Sequence, residues 1–287
     1  DLATNITPKN VCEILKKNKI SFYESGIEHG TITAKINDSK FEITTLRKDV
    51  LTDGRHAKIE FSNNWHEDAS RRDFTFNAIY ADLYGNLYDP YDGKKDLEFG
   101  NVKFIGNPEK RIKEDYLRIL RYVRFFLNYS KVDHIDSLKK IIKQNINGIS
   151  KISSDRLLDE LKKLFLSKGF LKLSKDKFCQ EVITLIFPQL VNIDIFKNIN
   201  DYSKKIVEEK DFIFLISLMI IDSTDNSEYF IYKYNISNED KKRIRFLSNI
   251  YSKSLDKDIF KEKNLWKIFY YDGKDCLIDL LNFKTFQ

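Results

Sequence analysis

The sequence predicts an α+β protein, a small mixed α/β unit of about one hundred residues followed by an all-helical remainder. Three observations predict it. Period-two apolar patterning is confined to the part before Pro108. After Pro108 the pattern turns helical and stays so. The composition supports a buried core, with 42% hydrophobic and 32% charged residues in 287.

The elements follow in order. Thr7-Pro8 reads as a helix start, a capping hydroxyl followed by proline at the first helical position. Val11, Ile14 and Leu15 give that helix an apolar face, and it ends near Asn18. Thr31 to Ile36, Phe41 to Leu46 and Ala57 to Phe61 alternate as strands, broken by the turn signals Asn37-Asp38 and Asp53-Gly54. Ala69 to Ala78 reads as a helix. Ile79 to Leu83 with Gly85-Asn86 reads as a hairpin, and Val102 to Ile105 as a last strand. Lys168-Gly169 is a candidate break between two helical parts. The run Phe212 to Ile221 is too short to span a bilayer and reads as a buried helix, so no membrane partner is expected. Ten glycines and four prolines exclude a collagen-like or linker-rich chain. Cys12, Cys179 and Cys276 are far apart and lack metal-ligand spacing, which points to reduced thiols and a cytoplasmic setting.

Charge is unevenly placed. The total is +6, but Lys103 to Lys175 alone carries 18 basic and 8 acidic residues, leaving the rest of the chain net acidic. A basic stretch with aromatics suits a nucleic-acid backbone and equally suits a solvated helix face. The chain begins at Asp1 and its single methionine is Met219, so this N-terminus reads as a processed end or a fragment.

Arg111 to Leu127 carries the most information. Read as one helix, it places Ile112, Tyr116, Ile119, Leu120, Val123 and Leu127 on one face and Glu114, Asp115, Arg118 and Arg121 on the other. Glu114 and Arg118 are then an i,i+4 pair and Asp115 and Arg118 an i,i+3 pair, the ordinary reading being a surface salt bridge. The functional reading is a base reader. A carboxylate accepts from an exocyclic amine while a guanidinium donates to the neighbouring ring nitrogen, which selects cytosine and adenine over uracil and guanine. Glu42 lies on an alternating strand, sharing a face with Thr44. Arg71-Arg72-Asp73 offers two guanidiniums suited to a triphosphate and a carboxylate suited to a ribose hydroxyl, or else a charged first helical turn.

These pieces occur in the order "DLATNITP", "GIEHGTIT", "FEITTLRKDVLTDGRHAKIEF", "RRDFTFNAIYAD", "DPYDGKKDL", "RIKEDYLRILRYVRFF" and "ISSDRLLDEL". From Asp1 to about Phe165 the chain resembles the class II tRNA nucleotidyltransferases, the CCA-adding enzymes, and their relatives the bacterial poly(A) polymerases. Beyond Ser167 only helical patterning compatible with that family is present.

The resemblance implies a DNA polymerase β-like nucleotidyltransferase head at 1–107, a helical neck that reads the base at 108–167, and a helical, tRNA-binding body at 168–287. It implies transfer of C, C and A from CTP and ATP to a tRNA 3′ end, without a nucleic-acid template and with two Mg²⁺ ions. Asp1 matches the second aspartate of the metal-holding pair, and Glu42 the third active-site carboxylate. Arg71, Arg72 and Asp73, with Asn77 of the same motif, match the nucleotide-binding segment. Asp115 and Arg118 match the base-reading pair, braced by Glu114, and Arg121 and Arg124 continue it toward the phosphates. Asp89 and Gly93 match a structural motif, and Arg156 and Glu160 one that steadies the base-reading helix. Arg47, Asp49, Asp53, Gly54, Arg55 and His56 belong to a segment resembling the family's specificity loop, which links to the switch from C to A.

The family's first strand-turn-helix and the first aspartate of its metal pair would precede Asp1, so the 287-residue chain on its own is expected to be inactive. The alternatives are an A-adding enzyme or poly(A) polymerase of the same family, and a catalytically dead RNA-binding fragment. Oligomeric state is not legible. His29 and His66 read as structural or surface residues, His134 as surface and Trp65 as core. Tyr122 and Phe125 read as either RNA contacts or packing.

Overall fold

A computed structural model describes residues 1–52, 57–252 and 257–286. Its backbone divides into two compact units, Asp1–Asp115 with Lys131–Asp133, and Tyr116–Ser130 with His134–Gln287.

In the first unit, β1 (Leu2–Thr4) precedes α1 (Pro8–Lys17), β2 (Ser21–Gly26), β3 (Thr31–Ile36) and β4 (Ser39–Thr45). The sheet order is β1-β4-β3-β2, antiparallel except for the parallel β1–β4 pair. Pleating sends Ile32 and Ala34 to one face, against Val11, Cys12 and Leu15 of α1, with Ile43 packed beside them. Thr7 stands extended at the N-cap and Pro8 opens the helix, as the sequence predicts. Ile14 departs from expectation: it is 48% exposed, and Cys12 takes its place on the buried face. β1 and β2 go unrecognised in the sequence because both are sheet-edge strands, and β1 is only three residues long.

Next come β5 (Arg47–Thr52) and β6 (Ala57–Phe61), an antiparallel pair with Arg47 opposite Phe61. The segment expected as a loop therefore begins as a strand. The helix predicted over Ala69 to Ala78 is shifted and split. α2 (Trp65–Ser70) is capped by Asn64, whose side chain accepts from the His66 amide, and a 3₁₀ turn covers Thr75–Ala78. Between them the backbone pairs with the 103–105 segment instead of with itself. Thr75 N donates to Lys103 O, Ile105 N donates to Asp73 O, and Phe74 bridges Phe104. The expected strand at Val102 to Ile105 is reduced to that bridge. β7 (Tyr80–Ala81) and β8 (Leu87–Tyr88) form the expected hairpin around Gly85, which has φ +86°. Trp65 is 36% exposed, its ring edge-on to Tyr80, so it borders the core rather than filling it.

α3 (Gly93–Phe99) and α4 (Pro108–Glu114) complete this unit. The single helix expected over Arg111 to Leu127 is interrupted. Asp115 is extended, with φ −151° and ψ 105°, and α5 (Arg118–Tyr129) starts afresh. Tyr116, just after the break, packs its ring against Gly148, where a β-carbon would lie 2.0 Å from Tyr116 Cε1.

The second unit is helical among its described residues. It contains α5, α6 (Asp136–Asn145), α7 (Ser154–Phe165), α8 (Lys177–Ile186), α9 (Asp201–Glu209), α10 (Phe212–Ile220), α11 (Asn226–Lys233), α12 (Asn238–Ser252), α13 (Glu262–Tyr271) and α14 (Lys274–Phe283). Every residue of α10 is buried, as its apolar run predicts, and Asp211 caps it by accepting from Phe214 N at 3.0 Å. No helix among the described residues is long and apolar enough to cross a membrane. Tyr122 and Phe125 are buried, which settles them as packing residues. Lys168-Gly169 lies inside this unit. Gly169 N donates to Asn128 Oδ1, and a β-carbon there would sit 2.4 Å from Leu127 O.

His134, expected at the surface, is largely enclosed. Its ring stacks on Phe126, Nδ1 meets Tyr122 Oη at 2.9 Å, and Nε2 meets the Asp176 carboxylate at 3.1 Å. Asp176 also caps α8 at the Cys179 amide. All three cysteines are buried free thiols.

One ionic knot ties three helices of this unit. Asp279 on α14, 1% exposed, receives Arg243 of α12 at 2.7 Å and Lys210 at 3.3 Å. Arg243 also reaches Asp211 at the start of α10. Burial pushes the Asp279 carboxyl above its usual range, against the opposing pull of Arg243 and Lys210. Removing the arginine leaves that buried carboxylate with Lys210 alone, so Arg243→Ala is expected to lower stability by about 2–4 kcal/mol, read from a denaturant midpoint.

Candidate active site

Glu42 and Thr44 lie on the face of β4 opposite the α1 core, as the alternation predicts. The ladder pairs Thr33 with Glu42 and Thr31 with Thr44, whose hydroxyls meet at 3.0 Å. On the other side, β1 pairs in parallel, Leu2 with Ile43, Ala3 with Thr44 and Thr4 with Thr45. Asp1 precedes the paired residues, and the same register carried back one residue would bring it opposite Glu42. Neighbours in register share a sheet face, and Asp1 and Glu42 are both exposed carboxylates. Their hard oxygens suit a divalent cation such as Mg²⁺.

The arginine pair is organised by a residue that sequence reasoning missed. Asp68 on α2 is 1% exposed. Its Oδ1 accepts from Arg71 Nε at 2.9 Å, from Arg71 Nη2 at 2.8 Å and from the Arg47 amide at 3.1 Å. Its Oδ2 accepts from Arg72 Nη2 at 3.1 Å and from the Tyr80 hydroxyl at 2.6 Å. Burial alone would raise this carboxyl; Arg71, the Tyr80 hydroxyl and Arg72 outweigh it and hold the carboxyl below its usual range. Tyr80 is pushed up, first by burial and then by the neighbouring carboxylate. A spacing signal existed, since Asp68 stands three and four residues before the arginines, on one helical face.

Asp73 is nearly buried. Its Oδ1 accepts from the Phe74 amide at 2.9 Å and from Asn77 Nδ2 at 2.8 Å, so Asn77 orients this carboxylate. A second residue, Arg111, also went unrecognised. Its Nη2 donates to the Arg71 carbonyl at 2.6 Å and to the Arg72 carbonyl, and its Nη1 to Glu114 Oε2 at 2.6 Å. Glu114 thus braces Arg111 and, through it, the backbone of the arginine pair. Asp89 caps α3 by accepting from the Gly93 and Lys94 amides, both at 2.8 Å.

Asp115 closes the first unit, and Arg118 opens α5 in the second. Glu114, Asp115 and Arg118 therefore do not lie on the one continuous helix that the sequence suggests. Arg118, Arg121 and Arg124 follow at three-residue intervals along α5. Arg124 Nε donates to Glu160 Oε1 at 2.5 Å, and its guanidinium lies 4.2 Å from the Phe125 ring centre. Glu160 is 2% exposed, and Arg156 sits one turn before it on α7. Arg47 and Asp49 lie on β5, and the Arg47 guanidinium donates to the His29 carbonyl. Asp53, Gly54, Arg55 and His56 lie outside the described residues.

Residues 1–103 match the poly A polymerase head domain, and residues 136–192 match the probable RNA and SrmB-binding site of polymerase A. The chain belongs to the family of CCA-adding tRNA nucleotidyltransferases and bacterial poly(A) polymerases. It is 43% identical to the mitochondrial CCA tRNA nucleotidyltransferase 1 of Homo sapiens over 172 residues, 58% of this chain and 39% of that protein. It is 30% identical to the CCA-adding enzyme of Streptococcus uberis over 258 residues, 88% of this chain and 62% of that one. The chain therefore spans less than two thirds of the length of these relatives. The fold is shared with the CCA-adding enzyme of Bacillus stearothermophilus in complex with CTP. The TM-score is 0.71 at 20% identity, covering 99% of this chain and 68% of that one. A tRNA nucleotidyltransferase complexed with a primer tRNA and an incoming ATP analog gives a TM-score of 0.73 at 21% identity, with 99% and 84% covered.

Glycine at position 93 has a physical reason. A β-carbon on Gly93 would lie 2.4 Å from Thr75 O and 2.7 Å from Phe76 Cα, backbone atoms of the turn that follows the arginine pair. Gly93→Ala must push α3 off that turn. The expected loss is about 1–3 kcal/mol, visible as a lower thermal midpoint.

Proposed function

We propose that this chain forms the nucleotidyl-transfer and nucleotide-reading part of an enzyme that adds C, C and A to the 3′ end of tRNA. CTP and ATP are the donors, pyrophosphate leaves, and no nucleic-acid template is used. The observation that supports the reading is the parallel β1–β4 register, which, carried back one residue, would bring Asp1 opposite Glu42, both exposed. The arginine pair of the same unit is held by one buried carboxylate. Phosphoryl transfer demands little else than positioning and charge neutralisation.

Asp1 would hold Mg²⁺, two ions being the family pattern; bound there, the metal neutralises charge on the phosphates. Glu42 stands at the attacking 3′ hydroxyl. Arg71 and Arg72 engage the triphosphate, and Asp73, oriented by Asn77, takes a ribose hydroxyl. Asp115 and Arg118 read the base edge, with Arg121 and Arg124 continuing toward the phosphates and Glu160 holding Arg124. Head, neck and body then divide at about residues 107 and 167, and the basic stretch from Lys103 to Lys175 supplies the electrostatic attraction to tRNA. A cytoplasmic setting agrees with three buried free thiols.

The test is incorporation of labelled CMP and AMP by the whole protein into tRNA ending before its CCA. Glu42→Ala is expected to cut turnover at least about a hundredfold while leaving stability within about 0.5 kcal/mol, since the side chain is exposed. Wild-type turnover in that variant removes Glu42 from the mechanism. Asp115→Ala should admit U or G alongside C and A without changing tRNA affinity; unchanged nucleotide choice removes it as a base reader. Incorporation of A alone by the wild type would mark an A-adding enzyme instead.

A further inference from the structure

We infer that Asp68 is a positioning residue for nucleotide binding: it fixes Arg71 and Arg72 in the orientation that grips the triphosphate, and this rests on the function proposed above. Two adjacent arginines repel one another and sample many rotamers, so a triphosphate binding them unaided would bear the ordering cost. Asp68 removes both obstacles before the nucleotide arrives. It places one oxygen under Arg71 and the other under Arg72. Arg71 is clamped through two nitrogens, and its side chain is only 14% exposed; that of Arg72 is 34% exposed. The two guanidiniums therefore differ in freedom, Arg71 fixed and Arg72 the more open to a ligand.

The carboxylate is itself held. The Tyr80 hydroxyl donates to Oδ2 and the Arg47 amide, at the start of β5, donates to Oδ1. From the opposite side, Arg111 grips the carbonyls of Arg71 and Arg72. Side chains and backbone of the pair are thus restrained separately. With one negative charge shared by two positive ones, the cluster keeps a net positive charge for the phosphates.

The experiment uses the whole protein and inorganic tripolyphosphate, which probes the phosphate grip without base or ribose. Asp68→Asn keeps the shape and deletes the charge. Tripolyphosphate inhibition and the KM for both CTP and ATP should weaken about tenfold, while tRNA affinity measured without nucleotide stays within about twofold. Tyr80→Phe deletes one donor and leaves the arginines paired, so a smaller weakening of about two- to fivefold is expected. A folded Asp68→Asn variant with unchanged tripolyphosphate inhibition and unchanged KM overturns the inference. If that variant does not fold, unchanged values in Tyr80→Phe overturn it. A wild-type protein that incorporates neither CMP nor AMP overturns the functional reading instead, so the two failures are distinguishable.

Discussion

A carboxylate taken out of water must have its hydration replaced, and around Asp68 the replacement is supplied from four directions. Two guanidiniums, a phenol and a backbone amide converge on its two oxygens. The donors come from the segment just after α2, from β7 and from β5, so the group joins parts of the chain that share no sheet. The arginine segment leaves the helix directly after this carboxylate, and its backbone is then free to pair with residues 103–105. Much of the unusual local geometry of the first unit follows from satisfying one buried charge.

A second constraint is the sheet register. In a pleated sheet a one-residue shift exchanges the two faces. Ile32, Ala34 and Ile43 must face α1, and that requirement sends Glu42 to the polar side. The hydrophobic core and the acidic surface are consequences of the same alternation, which is why a small head can carry both.

The amphipathic pieces were legible in the sequence: α1 from its Thr-Pro start, the β3 and β4 alternation, the hairpin at Gly85, and α10 from an unbroken apolar run. What escaped was set by distant partners. β1 is a strand because β4 lies beside it, not because of its own three residues. The break at Asp115 hides inside a periodic pattern that stays apolar on both sides, with Ile112 and Ile119 both fully buried. His134 looked exposed because its partners, Asp176 and Cys179, are more than forty residues away. At the site, motif residues were found by resemblance and by their chemistry. Asp68 and Arg111 were not, because their role lies in holding other residues.

The parallel β1–β4 pairing also orders events in time. Joining Leu2 to Ile43 closes a loop of about forty residues, and the entropy of that closure must be met before the ladder forms. The hairpin of β3 and β4 closes across only Asn37 and Asp38 and carries no such debt. On these grounds the β3–β4 hairpin comes early and β1 docks onto it late. A chain that has collapsed but not finished would then present Glu42 without β1 beside it.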